Sequence, residues 1–345
     1  MGFAITSREA NAGEKSGTVY TLEDRKRGCR AEVWPFLGFN CLKWQVQTGK
    51  GTTGDLLYTA PDWATNPVPT RSGHPILFPF PNRLAGGRFV FRGKAYQLPL
   101  NESSGNHAIH GFTPRAAWTV VSTIADDDQA SIIGRFQLSE NAPEALDYWP
   151  GDLVLTLTYT LTESALRVDA EIENPTALPV PCGLGYHPYF CIPTAPGALA
   201  DDMTLENTAA TLWVANDGIP TGERIPVPHE LDFRTKRAVG GIVLDRLFTD
   251  LGLEDAEAGD LTEVTRLVHN AAAGELVVSV SPSFRELLVF TPQHRKAIAI
   301  EPYTCASDAT NLAAAGVDSG WAVLPPEAKW LTTVEYRWLS EPERQ

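Results

Sequence analysis

The chain has 345 residues, of which 43% are hydrophobic and 20% are charged, so it is long enough to bury a large core. Its 28 basic and 42 acidic side chains give a formal net charge of -14, which argues against nucleic acid or an anionic membrane as the main partner. A neutral small molecule fits this charge better.

The cysteines and the N-terminal segment indicate where the protein resides. Five cysteines form an odd set without any C-x-x-C pair, which favours a reducing compartment over a disulfide framework or a zinc knuckle. The start, MGFAITSREANAG, lacks the pattern of a secretory signal, and no apolar run approaches the length of a membrane span. We therefore expect a cytoplasmic protein.

In chain order, the strongest structural signals are β-hairpins. The first lies at 89–98, where Arg92-Gly93-Lys94 separates two short alternating segments, and the second lies at 153–173, where apolar residues alternate with polar ones on either side of a polar turn. Further strands are predicted to begin near 275, 286 and 297. Helical periodicity is limited to short pieces near 253–258 and 308–315.

Turn residues point to the fold class. The chain has 26 prolines and 28 glycines, which interrupt the predicted strands at short intervals, as a β-sandwich or barrel requires. No stretch has the composition of a flexible linker between domains. The sequence therefore predicts an all-β protein with few short helices, built as one large β domain or as two ordinary ones.

Polar residues gather at predicted strand ends, where β scaffolds usually present functional groups. These stretches are NHAIHGF (106–112), GLGYHPYF (183–190), IAIEPYT (298–304), FPFPNRLAGG (78–87) and VLDRLF (243–248).

Each stretch also has a purely structural explanation. Histidine beside aromatic residues is more often a packed core residue than a catalyst, and taken alone His187 is expected to be one. Glu301 is harder to explain in this way, because it follows the apolar run AIAI, where an unpaired carboxylate is costly to bury. Arg83 and Asp245 can simply form an ion pair with each other.

A metal site is a competing interpretation of the same residues. Histidines and a glutamate on an all-β scaffold can form a centre of the cupin kind, with His107, His110, His187 and Glu301 as ligands. The spacing of these residues offers no compact ligand cluster. We therefore rank the metal site below the interpretation that the histidines and the glutamate transfer protons.

In their order along the chain, the segments resemble the aldose 1-epimerase family of galactose mutarotases and hexose-6-phosphate relatives. The resemblance rests on PFPNRLAGGRFVFRGKAYQLPLN, HAIHGF, YWPGDLVLTLTYTL, ENPTALPVPCGLGYHPYF, LDRLF and EPYT, and it runs from about residue 30 to the C-terminus. It implies that residues 1–345 form a single domain, a large antiparallel β-sandwich, or supersandwich, of the galactose mutarotase type, with an aldose bound in a cleft on one sheet.

The resemblance also implies roles for six residues. Glu301 matches the catalytic base, His187 the general acid and His110 a second active-site histidine. The remaining matches are to substrate-binding positions, namely Asn82, Arg83 and Asp245. The implied reaction needs no metal and no other cofactor, and the expected assembly is a monomer or a homodimer.

Two departures from the family pattern bear on the sugar that fits. Many members have a second glycine where this chain has Phe112, so we expect its ring to narrow the cleft. Many also have a Pro-Asn turn where this chain has Cys305–Asp308. Together with Phe112, three aromatic residues near His187 are expected to wall the cleft, namely Tyr186, Tyr189 and Phe190.

The chemistry of anomer exchange fits a carboxylate and an imidazole. A base removes the proton of the anomeric hydroxyl while an acid protonates the ring oxygen, and reclosure reverses the two roles. Glutamate is ionised at neutral pH, and a neighbouring anion can keep a histidine protonated there, so we expect an anionic Glu301 beside a cationic His187.

Two other functions stay open at this point. A hexose-6-phosphate 1-epimerase needs cations at the far end of the cleft, for which Arg71, Arg83 and Arg88 are the candidates. A non-catalytic carbohydrate-binding or regulatory protein would use the same cleft without turnover.

Overall fold

A computed structural model of the protein describes residues 2–49, 52–191, 199–269 and 274–340. Its β-strands are, in chain order, β1 (Phe3–Ala12), β2 (Lys15–Asp24), β3 (Cys29–Trp34), β4 (Asn40–Gly49), β5 (Thr52–Asp55), β6 (Ile76–Leu77), β7 (Arg83–Ala85), β8 (Arg88–Phe91), β9 (Lys94–Gln97), β10 (His107–Ile109), β11 (Thr119–Ala125), β12 (Ala130–Gln137), β13 (Val154–Leu161), β14 (Ala165–Glu173), β15 (Val180–Cys182), β16 (Gly185–Tyr186), β17 (Tyr189–Phe190), β18 (Met203–Asn207), β19 (Thr211–Asn216), β20 (Ile219–Pro226), β21 (Arg237–Ala238), β22 (Asp245–Thr249), β23 (Thr262–His269), β24 (Gly274–Val280), β25 (Glu286–Phe290), β26 (Ile298–Tyr303), β27 (Ala322–Leu324) and β28 (Lys329–Ser340). The α-helices are α1 (Leu138–Asn141) and α2 (Ala309–Ala314), and short 3-10 helices lie at Pro35–Leu37, Thr113–Arg115, Pro143–Asp147, Ala200–Asp202 and His229–Leu231.

The N-terminal strands form a sheet of their own. Strands β1 to β5 pair with their sequence neighbours as an antiparallel meander. Alternate residues of this sheet are buried, for example Leu22, Ala31, Val33 and Trp44, and belong to the main hydrophobic core. This meander is an all-β element that the sequence analysis did not delimit.

The largest sheet has nine strands in the order β11-β12-β13-β14-β28-β24-β23-β18-β21, and all of its pairings are antiparallel. Its centre contains the hairpin predicted at 153–173, formed by β13 and β14. Leu155, Leu157 and Tyr159 are fully buried on one face, as their alternation predicts. The hairpin predicted at 89–98 is also confirmed, as the pair β8 and β9.

The eight-stranded sheet carries two of the polar residues of interest, Asp245 in β22 and Glu301 in β26. Its strands follow the order β20-β19-β22-β25-β26-β16-β6, and β17 also pairs with β26. The strands predicted near 286 and 297 are therefore β25 and β26, which are neighbours in this sheet. Their register places Leu288 opposite Glu301.

A buried histidine joins the two large sheets. His74 lies just before β6 and is fully buried, and its Nδ1 lies 2.9 Å from the Tyr159 hydroxyl of β13. Its Nε2 lies 3.0 Å from the Tyr336 hydroxyl of β28, and its ring packs 5.0 Å from that of Tyr186. The core thus lies between two antiparallel sheets, which confirms the predicted sandwich.

The helix predictions are right in one place and wrong in another. Helix α2 (Ala309–Ala314) confirms the piece near 308–315. Residues 253–258 form turns and irregular backbone instead, in a segment bounded by two left-handed glycines, Gly252 with a φ of 76° and Gly259 with a φ of 101°. No helix of the described residues is both long and apolar enough to span a membrane.

Candidate active site

One cavity of about 930 Å³ brings together all six residues that the sequence singled out. They are Asn82, Arg83, His110, His187, Asp245 and Glu301. The six come from five separate stretches of the chain, so their meeting depends on the sheet order and not on sequence proximity.

Glu301 reaches the cavity because of the alternation in β26. Ile298 and Ile300 belong to the main core between the sheets, whereas Glu301, which directly follows Ile300, lies on the other face of the strand. Glu301 is 0% exposed, and its neighbour in β25, Leu288, also lines the cavity. The carboxyl group is therefore at the cavity but shielded from bulk water.

Glu301 contacts two side chains of different kinds. Its Oε2 accepts a short hydrogen bond from the hydroxyl of Tyr303, two residues further along the same face of β26. Its Oε1 lies 3.3 Å from Nε2 of His187 and has no hydrogen-bond partner of good geometry among the described residues. Oε1 is therefore the oxygen available for exchange of a proton.

His187 is held between β16 and β17. Its backbone N–H donates to the carbonyl of Pro75 at 2.9 Å, and its ring stacks on that of Tyr189 with centroids 4.6 Å apart. The Tyr189 hydroxyl lies 3.3 Å from His187 Nε2 and donates to the carbonyl of Thr70 at 2.6 Å. These contacts fix the ring with Nε2 toward Glu301.

Burial dominates the protonation of this pair. It raises the pKa of Glu301 well above 4.5, against a lowering by the Tyr303 hydrogen bond. Burial also lowers the pKa of His187 from 6.5 to about 3. Burial thus opposes the expected pair of an anionic glutamate and a cationic histidine, because desolvation disfavours the charged form of each group.

His110 depends on two unusual backbone conformations. Asn82 and His110 both have positive φ, 55° and 66°, and the N–H of His110 donates to the carbonyl of Asn82 at 2.9 Å. The ring of His110 lies 5.6 Å from that of His187 in an edge-to-face arrangement. Burial and the charges of nearby groups lower the pKa of His110 well below 6.5, which favours a neutral imidazole.

Arg83 and Asp245 face the cavity without pairing with each other. Arg83 Nε donates to Glu102 Oε1 at 2.5 Å, and its backbone N–H donates to Asn82 Oδ1 at 2.7 Å. Asp245 is the exposed first residue of β22 and has no ion pair among the described residues. The alternative of an Arg83–Asp245 ion pair is therefore wrong, because Arg83 pairs with Glu102 instead of Asp245.

The proposed four-ligand metal centre is not assembled. His107 does not line the cavity: its Nδ1 accepts the N–H of Gly86 at 3.2 Å, and its Nε2 lies 3.8 Å from Asp217. Across the described ranges, no three His, Cys, Asp or Glu side chains are grouped so as to hold a metal ion.

The predicted aromatic wall is only partly right. Tyr189 lines the cavity, but Tyr186 and Phe190 are buried in the main core. Phe112 packs against Phe80 and Trp149 and does not narrow the cleft. The apolar side of the cavity comes instead from Tyr58, Leu288 and Phe290, with the ring of His294 stacked 4.8 Å from Tyr58.

The second departure from the family pattern, Cys305–Asp308, contacts the site residues without lining the cavity. All four residues are buried and none of them lines the cavity. The N–H of Asp308 donates to the carbonyl of Arg83 at 2.7 Å, and its Oδ1 accepts the N–H of Ala85 at 3.0 Å. This turn therefore fixes the strand that presents Arg83.

Three further residues at or near the site were missed by sequence reasoning. Tyr303 stands two positions after Glu301, so strand alternation alone would have placed it on the same face. Arg115 lines the cavity, and Lys15 lines a smaller cavity that adjoins it. No sequence motif marks either residue, because the fold brings them here from distant parts of the chain.

Comparisons with known proteins agree with this architecture. The family model described as aldose 1-epimerase matches residues 18–337. The uncharacterized protein YihR of Escherichia coli K12 is 27% identical over 70% of this chain and 72% of its own length. Galactose mutarotase of Homo sapiens is 31% identical, over 42% of this chain and 40% of its own, so the match spans less than half of that relative.

Solved structures show the same fold. A galactose mutarotase-like protein from Clostridium acetobutylicum superposes with a TM-score of 0.83, at 24% identity, over 97% of this chain and 99% of its own. Galactose 1-epimerase from Lactobacillus acidophilus gives a TM-score of 0.75 at 18% identity, with 98% of both chains covered. The predicted sandwich of the galactose mutarotase type is thereby confirmed.

Proposed function

Because the chain belongs to the aldose 1-epimerase family, we propose that it interconverts the α and β anomers of a hexose by acid–base opening of the sugar ring. The observation that carries the proposal is the approach of Glu301 Oε1 to within 3.3 Å of His187 Nε2 inside a cavity lined by polar and aromatic side chains. The galactose mutarotases among its relatives make galactose one of the first sugars to test.

In the proposed reaction, Glu301 is the base and His187 is the acid. Glu301 takes the proton of the anomeric hydroxyl while His187 gives a proton to the ring oxygen, and the bond between C1 and the ring oxygen breaks to give the open-chain aldehyde. Rotation about C1–C2 and the reverse transfers then close the ring with either configuration at C1. Each cycle returns both protons, so no co-reactant is consumed.

The neutral pair favoured by burial is one state of this cycle. Ring opening converts an ionised Glu301–His187 pair into a protonated glutamate and a neutral histidine, which is the state that desolvation stabilises. The short distance between Oε1 and Nε2 lets the proton return to His187 before the next ring opens. The pair thus needs one shared proton in total, whichever residue holds it.

The other cavity residues are proposed to bind the sugar. The amide of Asn82, the guanidinium of Arg83 and the carboxylate of Asp245 are suited to hydroxyl groups. His110, held neutral by burial, can accept or donate one hydrogen bond near the ring oxygen beside His187. Tyr189 and Phe290 supply apolar surface for the C–H face of the ring.

The decisive experiment is Glu301→Gln, read out as anomer exchange of galactose and glucose by NMR exchange spectroscopy. We expect loss of about two to four orders of magnitude in kcat with the fold retained. Glu286→Gln is the matched control, because Glu286 is equally buried in the neighbouring strand β25 but does not line the cavity. Undiminished exchange in Glu301→Gln would refute the assignment.

The same assay addresses the non-catalytic alternative. A carbohydrate-binding or regulatory protein would bind the sugar in calorimetry but would not accelerate exchange above the spontaneous rate, even as wild type. Binding without acceleration would therefore replace the proposed reaction with a binding role.

We also propose a cytoplasmic location and a monomer or homodimer. The location is supported by the cysteines, all five of which carry free thiols. Fractionation and light scattering test these two predictions.

A further inference from the structure

Arg83 shares the wall of the cavity with its partner carboxylate, Glu102. Arg83 Nε donates to Glu102 Oε1 at 2.5 Å, and both residues line the cavity. Their side chains are only 22% and 10% exposed, so water and salt screen this ion pair less than they screen a pair on the open surface. Glu102 therefore belongs to the candidate site itself.

The loop between β9 and β10 holds Glu102 in place. The backbone N–H of Glu102 donates to the carbonyl of His107 at 3.2 Å, and its carbonyl accepts the N–H of Gly105 at 2.9 Å. Its second carboxyl oxygen, Oε2, accepts a hydrogen bond from the hydroxyl of Ser104 at 2.7 Å. Both carboxyl oxygens are thus engaged, and the group cannot turn away from Arg83 without losing these hydrogen bonds.

Glu102 carries a negative charge at neutral pH. Burial raises its pKa, but the hydrogen bonds from Ser104 and Arg83 and the charge of Arg83 outweigh burial and lower the pKa below its ordinary value of 4.5. Glu301 in the same cavity differs, because burial raises its pKa well above that value. Glu102 is therefore a permanent anion beside the arginine.

The guanidinium of Arg83 is enclosed on further sides. Its Nη1 donates to Asn82 Oδ1 at 3.4 Å. The turn between β19 and β20 packs against the group, since a Cβ atom on Gly218 would lie 2.5 Å from Nη1. Within the described ranges, Nη2 has no hydrogen-bond partner. Arg83 can therefore still donate to a ligand, but its Nε edge is closed to the paired hydrogen bonds by which guanidinium groups bind oxyanions.

The rest of the cavity does not offset the charge of Glu102. Three arginines and four carboxyl groups line it, namely Arg71, Arg83, Arg115, Asp62, Glu102, Asp245 and Glu301. The lining therefore has no excess of positive charge. Arg88, the remaining cation predicted for a phosphate, lies outside the cavity and hydrogen-bonds to Gln97.

We propose that Glu102 is a specificity-determining residue, which restricts the sugar bound at Arg83 to uncharged hexoses. Arg83 paired with Glu102 can donate to a hydroxyl group, whereas a phosphate or carboxylate group on the sugar is repelled by the carboxylate beside the arginine. This rests on the proposed function and narrows its substrate class, because it favours the free hexose over the hexose 6-phosphate. Glu102 thus acts by rejecting anionic ligands as well as by orienting Arg83.

The test compares neutral and anionic sugars of the same configuration. Galactose, galactose 6-phosphate and galacturonate form one series, and glucose, glucose 6-phosphate and glucuronate form another. Titration calorimetry gives the dissociation constants, and anomer exchange by NMR gives kcat/KM separately. The variants are Glu102→Gln, the double variant Arg83→Gln with Glu102→Gln, and the control Asp62→Asn. Asp62 is an exposed carboxylate of the same cavity whose side chain hydrogen-bonds to Asn66.

We expect wild type to bind each neutral sugar about tenfold or more tightly than its anionic counterparts. In Glu102→Gln the anionic sugars should gain about tenfold in affinity, because the guanidinium of Arg83 is released, and added salt should weaken this gain. Neutral sugars should change little. The double variant should lose the gain because it lacks the released guanidinium, and Asp62→Asn should leave the ratio of affinities near that of wild type.

Equal affinity of wild type for neutral and anionic sugars would overturn the proposal. An unchanged ratio in Glu102→Gln, or an equal change in Asp62→Asn, would overturn it as well. Failure of the proposed function looks different, because a protein without exchange activity can still show the binding preference in calorimetry. The two proposals are therefore tested separately by the same set of proteins.

Discussion

The hydroxyl of Tyr303 donates a hydrogen bond to Oε2 of Glu301, and this leaves Oε1 as the oxygen nearest to His187. Asn82 lines the cavity near Tyr303, and its side chain opposes the rise in the pKa of Tyr303 that burial causes. Tyr303 does not itself line the cavity, so we regard it as a residue that positions the glutamate.

Replacing Tyr303 with phenylalanine should reduce the fraction of Glu301 that is ionised and able to accept a proton. The hydrogen bond from Tyr303 lowers the pKa of Glu301, so its loss raises that pKa further and makes the ionised pair rarer. We expect kcat to fall about tenfold and the alkaline limb of its pH profile to move to higher pH, with KM little changed.

The control for this variant is Tyr336→Phe, which removes another buried hydroxyl but one that contacts His74 between the sheets. It should lower stability without moving the pH profile. If both variants shift the profile alike, Tyr303 has only a structural role.

The pH dependence of wild-type kcat should reflect a pair that holds one proton. His187 takes up a second proton only near its lowered pKa of about 3, so activity should persist as the pH falls through 6.5, the ordinary value for histidine. Glu301 keeps the shared proton with a raised pKa, so the alkaline limb should lie well above 4.5. NMR exchange rates, corrected for spontaneous exchange, provide the profile, and an acid limb centred near 6.5 would contradict it.

Much of the site was predictable because its residues stand in regular strands or in strongly marked motifs. Alternation in AIAIEPY places Glu301 opposite the core-facing isoleucines, and β25 and β26 were both predicted as strands. What alternation cannot give is the register between strands, and it is the register that places Leu288 beside Glu301. The meeting of six residues in one cavity was expected from the family resemblance and not from the local pattern.

The errors at the site have different causes. Strict alternation through GYHPYF places His187 and Tyr189 on one face and Tyr186 and Phe190 on the other, as the structure has them, so the prediction of one aromatic wall did not follow the period of a strand. Phe112 follows a left-handed glycine, which turns its ring away from the cleft.

Removing the buried histidine between the sheets should destabilise the fold. His74→Ala leaves the hydroxyls of Tyr159 and Tyr336 without their imidazole partner and opens a cavity in the core. We expect the free energy of unfolding in urea to fall by about 3 kcal/mol or more. The exposed His229 provides the control, since His229→Ala should change stability by less than about 0.5 kcal/mol.

The same histidine should contribute to the loss of stability in acid. Burial lowers the pKa of His74 from 6.5 to about 3, so below pH 6.5 the unfolded chain binds a proton that the folded protein refuses. The stability contributed by neutral His74 is complete above pH 6.5 and is lost as the pH falls toward 3. Denaturation measured at several pH values should therefore show a shallower acid slope in His74→Ala than in wild type, and equal slopes would contradict this assignment.

The backbone that presents His110 should tolerate no side chain at Gly111. This glycine has a φ of 66°, and a Cβ atom there would lie 2.1 Å from the carbonyl oxygen of Phe78, which is backbone and cannot move aside. Gly86 is the matched control, because its φ is 57° and its Cβ would meet nothing within 4 Å. Gly86→Ala should lower the free energy of unfolding by only about 1 kcal/mol, because alanine is strained in the left-handed conformation. Gly111→Ala should lower it by about 3 kcal/mol or more, because the steric clash adds to this strain. Gly111→Ala should also lower kcat by displacing His110. Urea denaturation and the exchange assay measure both effects, and equal losses in the two variants would show that the contact with Phe78 does not constrain the histidine.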